Sequence, residues 1–285
     1  MPSNRRKSKK RKATTGTARI NPTRYQLFSS TDHPIGHDTR LWRYLTLEKF
    51  LWLLETSQLY HPRLDCLGDP FEGSVTKKYA QMRAAGELPR HLQGRPPEFA
   101  EKMEPTIFKR LMYTRFATCW YASTVESAAM WKLYSTEHAG VAVITTPELL
   151  QASVDVTQFY HAILAPVEYL DFETDDMTFP LGKSAQTGLL KRKSFEHERE
   201  VRGLVHLKDE PEDPCTILSP ERVESLKTKL PRGVNAPVDL KRLVQAIYIS
   251  PLAQPFFAEL VRISANRRGL GDRVRRSALC GEPVY

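Results

Sequence analysis

Leu41-Trp-Arg-Tyr-Leu-Thr-Leu-Glu-Lys-Phe-Leu-Trp-Leu-Leu54 carries two periodicities in one short run. Leu41 to Leu45 has the composition of a strand, and Thr46 stands where a helix N-cap belongs. Leu47, Phe50, Leu51 and Leu54 then recur at helical spacing. Leu59 to Pro62 reads as extended again. The body of the chain therefore opens as strand, helix, strand.

Working outward, helix and strand signals alternate irregularly. Asp69-Pro-Phe-Glu72 has the form of a capping box with Pro at the first helical position, and a long polar helical stretch follows, interrupted near Gly94 to Pro97. Phe116 to Tyr121 is expected to be a strand. Ser123 and Glu126 suggest another capping box, opening a helix through Tyr134. Gly140 to Thr145 reads as a buried strand from its branched residues. Phe159 to Tyr169 and Glu198 to Leu207 have strand composition. Asp209 to Pro237, rich in Pro, Asp and Glu, reads as a loop or excursion. Ala246 to Ser250 is a further strand. Ser250-Pro251 and Gln254 cap a helix that ends at Arg267-Arg268-Gly269, with basic residues and then Gly where a helix terminus favours them. Arg273 to Leu279 reads as a last short strand. No repeat appears, and strands scattered in this way predict an α+β domain rather than regular βαβ units.

The 285 residues suffice for one generous domain or two small ones, and 41% hydrophobic with 26% charged residues excludes disordered, collagen-like and coiled-coil chains. The formal charge of +9 is confined to one end. Residues 1–24 hold nine basic side chains and no acid, so the other 261 residues balance at 33 basic and 33 acidic. Residues 1–24 are expected to be a disordered basic tail. Three roles stay open for it: a solubilising arm, an arm following the phosphates of a nucleic acid, or a nuclear address in Lys9-Lys10-Arg11-Lys12. No apolar stretch follows it, so it does not read as a secretory signal.

Cys66, Cys119, Cys215 and Cys280 are far apart, with no CxxC and no joining His. Four free thiols, no bound metal and a cytoplasmic protein are the expectation. No stretch has the length of a membrane span. Walker, dinucleotide-fold, HExxH, GxSxG and kinase motifs are all absent from the sequence.

Several segments together resemble the bacterial family of unknown function called DUF2971. They are Leu41-Trp-Arg-Tyr44, Leu53-Leu54, Leu59-Tyr60, Asp69-Pro-Phe-Glu-Gly73, Cys119-Trp120 and Glu126-Ser-Ala-Ala-Met-Trp131, then Gly140-Val-Ala-Val143, Phe195-Glu-His-Glu-Arg-Glu-Val-Arg202 and Ile247-Tyr-Ile-Ser-Pro251. The match spans about residues 40–280, inside a domain of residues 25–285. The order of elements also looks like that of ADP-ribosyltransferases, especially those that modify nucleic acids. That resemblance implies a single α+β domain with a mixed, split β-sheet flanked by helices. It implies NAD as substrate, Arg43 at the first-strand position, Tyr60 nearest the second-strand position, Glu200 as the late-strand glutamate, and Glu198 two residues before it.

Read as a strand, Phe195 to Arg202 puts Glu196, Glu198, Glu200 and Arg202 on one face and Val201 on the other. Transfer of ADP-ribose breaks the nicotinamide–ribose bond and develops an oxocarbenium-like sugar. A carboxylate beside the ribose holds its 2′-hydroxyl and stabilises that charge, the role the resemblance implies for Glu200. Glu198 is then placed to orient or deprotonate the acceptor. Arg43, with its planar fork, would pair with the pyrophosphate or a ribose, and Tyr44, Tyr60 or Trp120 would stack on nicotinamide or adenine.

Structural readings compete at each position. Glu198 and Glu200 would serve equally as ion-pair partners, with Arg199 and Arg202 at hand to neutralise them. Arg43 would serve as partner to Asp69 or Glu72. Trp120, Met130 and Trp131 would be core. Two other functions also remain: a non-catalytic RNA- or DNA-associated module using the tail, and a metal-dependent nuclease using Glu198 and Glu200 as ligands.

Overall fold

The computed structural model describes residues 22–29, 34–87, 104–135, 140–177, 187–207 and 218–281. The chain enters through β1 (Gln26–Leu27), then β2 (Leu41–Leu45), α1 (Leu47–Thr56) and β3 (Gln58–Pro62). Helices α2 (Lys77–Ala84) and α3 (Glu104–Thr114) follow, and α3 runs straight into β4 (Arg115–Ala122). Next come α4 (Ala128–Tyr134), β5 (Val141–Thr145), α5 (Pro147–Ser153), β6 (His161–Pro166), β7 (Glu168–Leu170), β8 (Leu190–Arg192) and β9 (Glu200–His206). The C-terminal part holds α6 (Pro220–Lys229), β10 (Gly233–Pro237), α7 (Leu240–Leu243), β11 (Ala246–Ile249), α8 (Pro255–Arg267) and β12 (Val274–Arg276).

Eight strands form one sheet in the order β1-β6-β9-β4-β2-β5-β11-β12. Its outermost pairs, β1–β6 and β11–β12, are parallel and the inner pairs antiparallel. The α+β expectation holds in this form. One junction positions the site. The β2–β4 ladder is two pairs long, Leu41↔Ala122 and Trp42↔Tyr121. Beyond it, Arg43, Tyr44 and Leu45 continue to pair with β5, while Trp120 back to Arg115 pair with β9. The two halves of the sheet part there, and β3, paired antiparallel with β10, lies beside β4.

Strand alternation sorts the core onto the two faces. Leu41, Leu45, Phe116, Trp120, Val143, Val201 and Val205 share one cluster with α1, α5 and α8. Trp42, Tyr44, Ala142 and Ile144 face the other way onto Met130 and Trp131 of α4, as core aromatic residues should. Arg43 therefore projects between Leu41 and Leu45, on the side where the alternation calls for an apolar residue.

Several expectations need correction. The strand Glu198 to Leu207 begins at Glu200. Lys193–Glu198 is a 3-10 turn, and Arg199 closes it at φ 39°, a left-handed conformation unfavourable for a side chain with a Cβ. That reversal takes Glu196 and Glu198 out of the strand, so alternation does not place them beside Glu200. Asp69–Glu72 caps no helix. Asp69 accepts from the Phe71 amide at 3.0 Å in a turn, and its carboxylate holds Arg192. Helix α2 starts later, with Thr76 accepting from the Tyr79 amide. The cap of α4 is Ser127, not Ser123. Within Asp209 to Pro237, residues 218–237 form α6 and β10 rather than a loop. Ser219 caps α6, and Pro220 occupies the first turn, where its missing N–H costs nothing. The tail to residue 21, the break near Gly94 to Pro97 and Cys215 lie outside the described residues. Cys66, Cys119 and Cys280 are free thiols. No described helix is long and apolar enough to cross a membrane.

Candidate functional site

The gap between β2 and β4 opens into a cleft of about 650 Å3. Arg43, Tyr44, Tyr60, Trp120, Glu198 and Glu200 all line it. These are the six residues singled out from the sequence, drawn from β2, β3, β4, the 3-10 turn and β9. Two faces of the sheet contribute, because the strands separate: Arg43 and Trp120 come from one side, Cys119 and Glu200 from the other.

One wall is a buried ion network. Arg202 is fully buried and donates through Nη1 and Nη2 to the Glu72 carboxylate at 2.7 and 2.6 Å. Its Nε and Nη2 also reach Oε1 and Oε2 of Glu200 at 3.0 and 2.9 Å. Lys191 donates to Glu200 Oε2 at 3.2 Å and to Glu198 Oε2 in a shorter contact. The other oxygen of Glu198 accepts from the Tyr134 hydroxyl at 3.0 Å. Three carboxylates thus meet two cations, and the network keeps one formal negative charge. Burial raises the Glu200 pKa, but Arg202 and Lys191 outweigh it and bring the carboxyl down to about 2. The Lys191 ammonium moves up although burial opposes its charge, because Glu200 and Glu198 flank it. Burial, and then Glu200, push the Cys119 thiol well above its ordinary range.

Donors are distributed unevenly between the two candidate glutamates. Glu200 accepts from Arg202 twice and from Lys191, with both oxygens engaged. Glu198 accepts one bond on each oxygen, which leaves it lone pairs for a ligand.

The opposite wall is cationic. Arg43 donates Nη2 to the Tyr60 carbonyl at 3.1 Å and lies 5.6 Å from the Trp120 ring centre. It is not paired with Asp69 or Glu72, which are taken by Arg192 and Arg202. Among the described residues no carboxylate lies within ion-pair distance of it. Burial lowers its pKa to about 10, a cost that a bound anion would relieve. Lys49 and Arg232 line the same cleft. The Trp120 indole N–H is buried without an acceptor. Tyr60 is 42% exposed, with one side of its ring packed on Gly233. Tyr44 is largely committed to the core: it stands edge-on to Trp131 at 4.8 Å, and its hydroxyl accepts from the Ser127 amide.

Behind Arg43 lies a second buried pair. Tyr25 donates its hydroxyl to His61 Nε2 at 2.6 Å, and His61 Nδ1–H donates to the Leu59 carbonyl at 2.8 Å. Burial, then the Arg43 charge, hold the His61 pKa at about 3. His206 is also buried, and desolvation with Arg115, His161 and Arg110 nearby keeps its pKa well below the ordinary value. Both groups titrate near 6.5 in the unfolded chain. Their folded pKa values are depressed, so below that pH the unfolded state binds more protons. Stability is complete above about pH 6.5 and falls by up to about 1.4 kcal/mol per pH unit per histidine below it. The expected result is a thermal midpoint level from pH 8 to 7 that drops between pH 6.5 and 5. A midpoint unchanged across that interval contradicts this account.

Sequence reasoning missed Lys191, Tyr134 and Arg232, and it offered Glu72 to Arg43 where the structure pairs it with Arg202. Lys191 gave little signal, because it opens the basic run Lys191-Arg192-Lys193, which reads as a solvated segment. Comparisons of the chain with protein-family models, curated proteins and solved structures find no match.

Proposed function

We propose that the cleft binds NAD and transfers its ADP-ribose, the reading that the resemblance to ADP-ribosyltransferases implies. Its main support is the polarity of the cleft. Arg43, without a carboxylate partner, faces the space from one wall, and a network with one excess negative charge faces it from the other. NAD offers matching charges, an anionic pyrophosphate at its centre and, one ribose away, a cationic nicotinamide ring at one end. Arg43 receives the pyrophosphate through its planar fork, with Lys49 and Arg232 adding charge. Tyr60 offers aromatic surface, whereas Trp120, 1% exposed and packed in the main core under Arg43, is a core residue and not the stacking platform expected of it. Glu198, with lone pairs to spare, takes the ribose hydroxyl and stabilises the positive charge that grows as the ribose–nicotinamide bond breaks. The bonding pair leaves with nicotinamide, which departs neutral, and an acceptor nucleophile closes the new bond at the sugar and gives up its proton to water. Glu200 holds Lys191 and Arg202 in place and is a positioning residue. This departs from the assignment of the ribose to Glu200, for the reason of donor count. A nucleic acid is the acceptor proposed, on the nine positive charges of residues 1–24.

A nuclease reading is less well supported. Among the described residues no group of three His, Cys, Asp or Glu is placed to hold a metal ion, and Glu198 and Glu200 already have Lys191 between them.

Isothermal titration of NAD into the full chain tests the proposal. Saturable binding is expected, competed by ADP-ribose and by pyrophosphate. Arg43→Lys keeps the charge but loses the fork, so affinity falls by roughly tenfold. Wild-type protein that neither binds NAD nor consumes it with any RNA, DNA or protein acceptor overturns the assignment.

A further inference from the structure

Helix α8 is apolar on two sides. Phe257, Ala258, Val261 and Ala265 are buried against the main core. Phe256, Leu260 and Ile263, at spacing i, i+4 and i+7, form a second stripe that is 75%, 41% and 42% exposed. Leu252, just before the helix, and Trp52 of the neighbouring helix α1 are also exposed, at 61% and 49%. A surface helix needs one apolar stripe, and a second one exposed to water marks an association face.

We propose that this face joins two copies of the chain through an antiparallel, two-fold α8–α8 contact. The stripe is complementary to itself under that operation. Arg267 continues the line four residues beyond Ile263. A two-fold axis passing between Leu260 and Ile263 sets Leu260 against Ile263 of the second copy and Phe256 against its Arg267. Leu260 and Ile263 then each meet an apolar side chain, and each Arg267 guanidinium meets a Phe256 ring, a contact that is favourable once desolvated. Antiparallel alignment also opposes the two helix dipoles favourably. The rim argues for a protein partner over an anionic membrane, because it carries both signs. Glu259 lies 3.9 Å from Arg262, and Glu55 pairs with Arg268 beside Trp52. The two carboxylates would face lipid headgroups of their own sign, whereas a second copy offers arginines to meet them. The ligand cleft uses none of these side chains, so the contact stands independently of the NAD proposal.

Sedimentation equilibrium on the full chain at micromolar concentration is the test. The expected mass is twice 32.6 kDa. Phe256→Glu combined with Leu260→Glu is expected to weaken association at least 100-fold and return the monomer mass, with Ile263→Lys acting in the same direction. These side chains are exposed, so the far-ultraviolet spectrum and thermal midpoint at low concentration should match those of wild-type monomer. Leu133→Glu, on a separate exposed position of α4, should leave the dimer intact. A monomer at tens of micromolar, a dimer that survives the double substitution, or a monomer that instead binds vesicles rich in anionic lipid would each overturn the proposal.

Discussion

Glu198→Gln is expected to slow NAD consumption on the order of 100-fold while leaving NAD affinity within a factor of about three. Glutamine keeps the size of the side chain and an oxygen for the Tyr134 hydroxyl, which donates to Glu198 at 3.0 Å in the wild-type chain. It removes the charge. The ground-state ribose loses little by that, because its hydroxyl still finds an acceptor. The transition state loses more, since positive charge on the sugar develops only as the bond breaks, and an interaction that grows along the reaction appears in turnover rather than in affinity. Glu200→Gln separates the two glutamates. It leaves Arg202 and Lys191 buried with one carboxylate fewer, so it should lower stability as well as activity. Binding and single-turnover measurements on folded protein distinguish these outcomes. A Glu198→Gln protein as active as wild type, beside an inactive and stably folded Glu200→Gln protein, would return the ribose to Glu200.

Arg43 was singled out only through the resemblance, yet in the fold it also breaks a pattern. An arginine flanked by Leu41, Trp42, Tyr44 and Leu45 in a strand demands a reason, and the reason proves to be a ladder that ends at Trp42. The parting of the sheet itself could not be read, since it depends on which strands fail to stay paired and not on any residue. The acidic run at Glu196, Glu198 and Glu200 was visible, but its geometry was misread. Phe195-Glu-His-Glu-Arg-Glu alternates as a strand would, while the chain takes a 3-10 turn closed by left-handed Arg199. Glu198 reaches the cleft anyway, through Lys191 rather than through strand alternation. Asp69-Pro-Phe-Glu72 satisfied a local rule, yet its two acids are used at long range by Arg192 and Arg202. Local pattern cannot reveal a partner more than a hundred positions away, and both of these acids have one, whereas Glu198 and Glu200 find Lys191 and Arg202 within ten positions.

That network sets the second large expectation. Arg202→Met should destabilise the protein by about 3–5 kcal/mol, because it strands buried carboxylates. Arg202 is fully buried and Glu72 is 3% exposed. Without the guanidinium, the one cation left to either among the described residues is Lys191, 4.0 Å from Glu72 and 3.2 Å from Glu200. One ammonium would then serve three carboxylates. The chain would respond by taking up protons, so the deficit should be largest at neutral pH and shrink toward pH 4, where the wild type still holds Glu200 ionised with a pKa of about 2. Adding Glu72→Gln to Arg202→Met should recover part of the loss, since removing both members of a pair costs less than removing one. Chemical denaturation of the three proteins at pH 7 measures this directly. A deficit below about 1 kcal/mol for Arg202→Met would mean that water reaches these carboxylates. The wall of the cleft would then be solvated, and the excess negative charge on which the NAD proposal depends would be screened.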